Sequence, residues 1–90
     1  MNIQRKIVVR GKVQGGGFRN ATWRKTMELG IRGSVRNFDD GSVEILASAT
    51  DKEIKVFGNW CRVGPSHSSV DRLEISELDQ TGFTNFSIDY

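Results

Sequence analysis

Three consecutive glycines, Gly15-Gly16-Gly17, divide a segment of period two from a segment of helical period. Before them, residues 5–13 place Ile7, Val9, Gly11 and Val13 on one face and Arg10 and Lys12 on the other, the alternation of a strand with one buried side. After them, Phe18, Thr22, Thr26 and Leu29 recur at helical spacing with Trp23 and Met27 beside the stripe. This predicts a helix over residues 18–29, closed by Gly30 in a left-handed conformation. A chain that passes from strand to helix through so few residues brings the first, unpaired N–H groups of the helix close to the strand's end. Glycines let successive N–H groups converge into a concave nest, and the helix dipole adds partial positive charge there, so the segment suits an anion such as phosphate.

The remaining pattern alternates in the same way. Residues 31–38 and 42–49 read as a hairpin around Asp39-Asp40-Gly41, with Val43, Ile45, Ala47 and Ala49 on one face; Asp-Gly is a hairpin signal. Thr50-Asp51-Lys52-Glu53 is a capping box that opens a second helix. Ile54, Phe57 and Cys61 line its inner stripe beside Trp60, and Gly64-Pro65 ends it. Residues 70–78 form a further strand, and Phe86, Ile88 and Tyr90 alternate in a last short one. The order β-α-β-β-α-β, with the extra C-terminal strand, predicts an α+β, ferredoxin-like split βαβ sandwich in one domain over residues 1–90. Its sheet is expected to be antiparallel, with both helices on one face.

A chain of 90 residues buries about 60–65% of its unfolded surface, which leaves no room for a full core and a large cofactor together. Cys61 is the only cysteine and His67 the only histidine. An internal disulfide and a structural zinc site are thereby excluded, and no metal or cofactor is expected. Cys61 falls in an apolar helical pattern and reads as a buried thiol rather than a nucleophile paired with His67. No apolar run reaches the roughly 18–20 residues of a membrane span. The segment Met1–Lys6 lacks the apolar stretch of a secretory signal, so a cytoplasmic setting is expected.

The formal charge is only +2, but residues 1–27 hold seven bases and no acid, whereas residues 28–90 hold six bases and eleven acids. Such a block reads either as an anion-binding region or as a solvated face. Within it, Arg19 lies at the positive end of the first helix, where a cation costs about 0.3–1 kcal/mol. No acid close in sequence neutralises it. An anion at the glycine loop would resolve that placement, and a guanidinium would add charge-assisted, bidentate bonds; the alternative is a surface arginine beside a flexible turn. No Lys-Ser or Lys-Thr follows the glycines, so this is not a Walker loop, and the spacing is not that of a dinucleotide fingerprint.

The segment Gly11-Lys12-Val13-Gln14-Gly15-Gly16-Gly17-Phe18-Arg19 resembles the acylphosphatase signature. A second block, Leu29-Gly30-Ile31-Arg32-Gly33-Ser34-Val35-Arg36-Asn37, followed by Asp40-Gly41-Ser42-Val43-Glu44, is similar to that family as well. So are Ser66 to Arg72 and the tail Asn85-Phe86-Ser87-Ile88-Asp89-Tyr90. The resemblance implies hydrolysis of the carboxyl–phosphate bond of small acyl phosphates, releasing inorganic phosphate without metal or phosphoenzyme. It implies that Arg19 grips the phosphoryl group, that the backbone of Gly15, Gly16, Gly17, Phe18 and Arg19 cradles it, and that Asn37 positions the attacking water. Taken alone, Asn37 would read as an ordinary strand-end residue, and Asp39 and Asp40 as turn residues rather than catalytic carboxylates. A monomer without nucleic-acid or membrane partners is expected.

Three other readings stay open at the level of sequence. One is a family member that binds phosphate with weakened turnover. Another is a domain of a larger carbamoyl-transfer maturation protein sharing the motif, although ninety residues beginning at Met1 favour a stand-alone enzyme. The third is a ferredoxin-like nucleic-acid-binding module, favoured by the basic first third; against it, Ser42–Ala49 carries Glu44 and no aromatic residue on which a base could stack. Gly16 stands where the family usually has Val, Ser34 where an aromatic is frequent, and Thr26 where Ala is common. Thr26 can satisfy its hydroxyl on a carbonyl one turn earlier. A third successive glycine loosens the unbound loop. Gly16→Val should therefore raise the unfolding midpoint, by about 0.4–1 kcal/mol of stability, and raise turnover of an acyl phosphate; unchanged melting and unchanged turnover together would refute the idea.

Overall fold

The computed structural model describes residues 1–15 and 17–89. In chain order they form β1 (Ile3–Lys12), α1 (Phe18–Leu29), β2 (Arg32–Asn37), β3 (Val43–Ala49), α2 (Asp51–Val63), β4 (Ser69–Glu77) and β5 (Phe86–Asp89). Gly16 of the glycine run and Tyr90 of the last expected strand lie outside the described residues. The elements follow the expected order and match its boundaries to within a residue or two.

The five strands make one sheet in the order β4-β1-β3-β2-β5. Four of them pair antiparallel, as the sequence pattern predicts, but β5 adds to β2 in parallel, so the sheet is mixed. The reason is directional. β4 runs opposite to β1, and β2 runs with it, so β4 ends at the end of the sheet where β2 begins. A connection passing beneath that end enters the far edge in the direction of β2.

Ile75, Ile7, Ile45, Val35 and Ile88 line up across all five strands through successive register pairs. Ile7, Ile45 and Val35 of this row are fully buried. The neighbouring row runs Leu73, Val9, Val43 and then Asn37, so an amide stands on β2 where the other strands carry aliphatic side chains.

Both helices cover this apolar face. α1 turns Phe18, Thr22 and Thr26 inward, and α2 turns Ile54, Phe57, Gly58 and Cys61 inward. The Trp60 ring lies 6.0 Å from both Phe18 and Phe57, joining the helices. Burying Phe18 and Phe57 contributes about 1.5–3 kcal/mol each. Thr26 Oγ1 donates to the Trp23 carbonyl at 2.7 Å, which is how a hydroxyl is accommodated on an otherwise dry helix face. The capping box forms as read: Glu53 N–H donates to Thr50 Oγ1 at 3.2 Å, and Thr50 N–H donates to Glu53 Oε1 at 2.9 Å. No helix among the described residues is long and apolar enough to cross a membrane.

Two constraints on the sheet lead to measurable outcomes. Gly33 sits on β2 at φ 142°, and a Cβ there would collide with the Leu46 carbonyl of β3. Gly33→Ala should cost about 3 kcal/mol through overpacking of a strand pair that cannot separate, read as a fall in the urea midpoint at unchanged slope. The second constraint lies in the β2–β3 turn, where Asp40 Oδ1 accepts from the Ser42 hydroxyl at 2.6 Å and the Ser42 N–H at 2.9 Å. These bonds, with Arg10 adding to them, hold the Asp40 carboxyl down at about 2 from its ordinary 3.8. A depressed carboxylate stabilises the fold above its unfolded pKa, and that contribution is lost as pH falls through the folded value. Asp40→Asn should therefore lower the melting temperature at neutral pH, and the gap to the native chain should close as pH falls from about 4 to about 2.

Candidate active site

β1 leaves the sheet at Lys12 and buries Val13, and α1 starts at Phe18, five residues after it. Gly15 and Gly17 hold φ of 81° and 80°, values a residue with a Cβ adopts only at a cost. A Cβ on either would meet no atom within 4 Å. Backbone conformation, rather than lack of room, is what demands glycine here. Gly17 is the N-cap of α1, so no side chain caps the helix, and its first turn contains no acid. The head of α1 thus has no side-chain acceptor from its cap residue, a configuration that favours an anion.

A cleft of about 230 Å³ lies at this point, lined by Val13, Gly15, Gly17, Phe18, Arg19, Asn20 and Asn37. It gathers the described cradle residues named from the sequence together with Arg19 and Asn37; Gly16 falls outside the described residues. The Phe18 ring is 1% exposed and belongs to the core, so what this residue offers the cleft is its backbone. Arg19 is half-buried, and its Nη1 lies 3.4 Å from the Asp89 carbonyl at the end of β5. Of the seven bases in the first 27 residues, Arg19 alone lines the cleft. Arg10 pairs instead with Glu74 at 2.7 Å and with Asp40 at 3.2 Å, and Lys25 with Glu28 at 3.4 Å.

Asn37 ends β2 opposite Val43. Two residues after the buried Val35, it points to the same, helix-covered face of the sheet. Its Oδ1 is buried and has no hydrogen-bond partner among the described residues. An unsatisfied buried acceptor costs about 1–3 kcal/mol, and such groups in native folds call for an explanation. The residue itself lines the cleft, together with Arg19 and the glycines of the turn.

Gln14 is a contributor that reasoning on the sequence passed over. Its Nε2 donates to the carbonyls of Phe38 at 2.7 Å and Ser42 at 2.8 Å, both in the turn after Asn37. Only its place inside the glycine motif could have signalled a role, because its partners lie 24 and 28 residues away. The other candidate groups fall elsewhere. Cys61 is fully buried, and burial pushes its thiol up, away from the reactive thiolate. Asp39 and Asp40 are exposed and do not line the cleft. Arg36 lies over the Phe38 ring at 4.7 Å and pairs with Glu44 at 3.4 Å. Among the described residues, no three His, Cys, Asp or Glu side chains are grouped as metal ligands.

The Acylphosphatase family model matches residues 5–88. The chain is 39% identical over 89 residues to the acylphosphatase of Pasteurella multocida, covering 98% of this chain and 99% of that one. It is 43% identical over 88 residues to that of Marinobacter nauticus, covering 96% of each. The crystal structure of acylphosphatase from Bacillus subtilis superposes on all of this chain and all of its own, with a TM-score of 0.93 at 35% identity. A sheet with two helices on one face, an anion-ready glycine turn and full-length similarity to named enzymes agree: the chain belongs to the acylphosphatase family and is an acylphosphatase.

Proposed function

We propose that the cleft hydrolyses small acyl phosphates by direct attack of water on phosphorus. The backbone N–H groups from Gly15 to Arg19 hold the phosphoryl oxygens, and the Arg19 guanidinium completes the anion site. The Asn37 side-chain amide positions the attacking water by hydrogen bonding. The water oxygen bonds to phosphorus as the bond from phosphorus to the acyl oxygen breaks. The carboxylate leaves with the bonding pair, and the water's proton passes to the phosphate released as product. Because the transition state is loose, catalysis is chiefly positioning and charge stabilisation. A carboxylate is a good leaving group, so no strong general acid is needed. The single chain supplies every group in this scheme, so a monomer of residues 1–90 is the working unit proposed.

The observation that carries the reading is the place of Asn37, a polar residue with a buried, unpartnered amide oxygen, among the residues that line the cleft with Gly15, Gly17 and Arg19. A purely structural residue at that core-facing position would be aliphatic, as Val9 and Val43 are in the same row.

The test is hydrolysis of benzoyl phosphate in EDTA. Arg19→Ala and Asn37→Ala should each lower turnover by about a hundredfold or more, the loss typical of removing one group aimed at a developing charge. Asn37→Leu should lose turnover equally while its unfolding midpoint holds or rises, since it replaces an unsatisfied amide with an aliphatic group. Turnover that survives in both the Arg19 and the Asn37 variants would remove them from the chemistry. No turnover in the native chain, with inorganic phosphate still protecting the fold against heat, would favour the weakened phosphate-binding reading and direct attention to Gly16.

A further inference from the structure

β1 and β2 carry the two halves of the proposed site, yet they never touch, because β3 lies between them. The β1–β3 ladder ends at Val9↔Val43, while the β1–β4 ladder continues to Lys12↔Ser69. From Arg10 onward, then, the chain leading into the glycine turn is held by β4 on one side only. On the other side it faces the β2–β3 turn.

Gln14 closes that open side. Its amide donates to the Phe38 and Ser42 carbonyls, and these two oxygens are the neck of the turn. Phe38 N–H donates to Ser42 O at 2.9 Å, and Gly41 N–H donates to Phe38 O at 3.1 Å. One planar NH₂ group therefore spans both strands of the hairpin, which uses its full donor capacity. Ser42 is steadied from its other end by Asp40, itself 3.2 Å from Arg10. Gln14 precedes Gly15 of the cradle, and Phe38 follows Asn37. The route from cradle to water-positioning amide is thus two peptide links and one hydrogen bond.

We infer that Gln14 is a positioning residue that sets the separation between the phosphate cradle and the Asn37 amide, an inference resting on the roles proposed above for those groups. Its effect is on the alignment of water against a bound phosphoryl group. The cradle itself is shaped by the glycine backbone and the head of α1, so phosphate affinity should not depend on Gln14.

The experiment measures kcat for benzoyl phosphate, and Ki for inorganic phosphate as competitive inhibitor, in the native chain, Gln14→Ala, Asn37→Ala and the double variant. Gln14→Ala should lower kcat by about tenfold to a hundredfold, the scale of a one-ångström misplacement, and leave the phosphate Ki within about twofold. In the Asn37→Ala background the same change should cost no more than about twofold, because the group it aligns is already gone. Gln14→Glu preserves length and packing but loses both donors, and should lose at least as much kcat as the alanine variant. Native kcat in Gln14→Ala and Gln14→Glu beside a crippled Asn37→Ala overturns this inference alone. So does an undiminished loss in the Asn37→Ala background, or a phosphate Ki that rises in step with the fall in kcat. Native turnover in Asn37→Ala overturns the role of Asn37 and the inference with it.

Discussion

The site depends on the double pairing of β3. Val43, its first residue, is the register partner of Val9 on one side and Asn37 on the other. With strands about 4.8 Å apart, Asn37 is therefore fixed about 10 Å across the sheet from Val9. Because β1 and β2 both run against β3, they finish at the same end of the sheet. The strand-to-helix turn after β1 and the last residue of β2 are delivered to one place, with Phe18 and Trp60 roofing the core behind them.

Three local rules of stability are broken around that place. A glycine caps α1 where a side-chain acceptor is preferred, a cation stands in the first helical turn, and an amide oxygen is buried without a donor. Each is unfavourable alone. Together they fit the proposed complement of a phosphoryl group with a water beside it. Departures from local consistency cluster at functional sites for this reason. Elsewhere the complete capping box of α2 and the unbroken aliphatic row across the five strands follow the rules, while Thr22 Oγ1 on the inner face of α1 is a second buried oxygen with no partner among the described residues.

The basic first third of the chain sorts in the fold into unlike roles. Arg10 belongs to an exposed network with Glu74 and Asp40, where ion pairs add little stability but help hold the turn beside the site. Arg19 enters the cleft. Charge counted along the sequence thus does not show which of the bases lines the cleft.

Much of this protein was legible in its sequence because the signals are local. Alternation at Ile7 and Val9, the stripe Ile54-Phe57-Cys61, the Thr50–Glu53 box and the Asp40-Gly41 turn each depend on residues within a turn or a strand of one another. The glycine run and Arg19 were legible for the same reason: strand, loop and helix head are contiguous. What the sequence could not decide is long-range. Asn37 reads as a plain strand end until pairing with Val43 puts it in the core-facing row beside the cleft. Gln14 shows no purpose until the hairpin folds back to present two carbonyls. The parallel seating of β5 was set by the end of the sheet at which β4 finished. Periodicity along the chain determines which face a side chain takes; only the pairing of distant strands determines what that face meets.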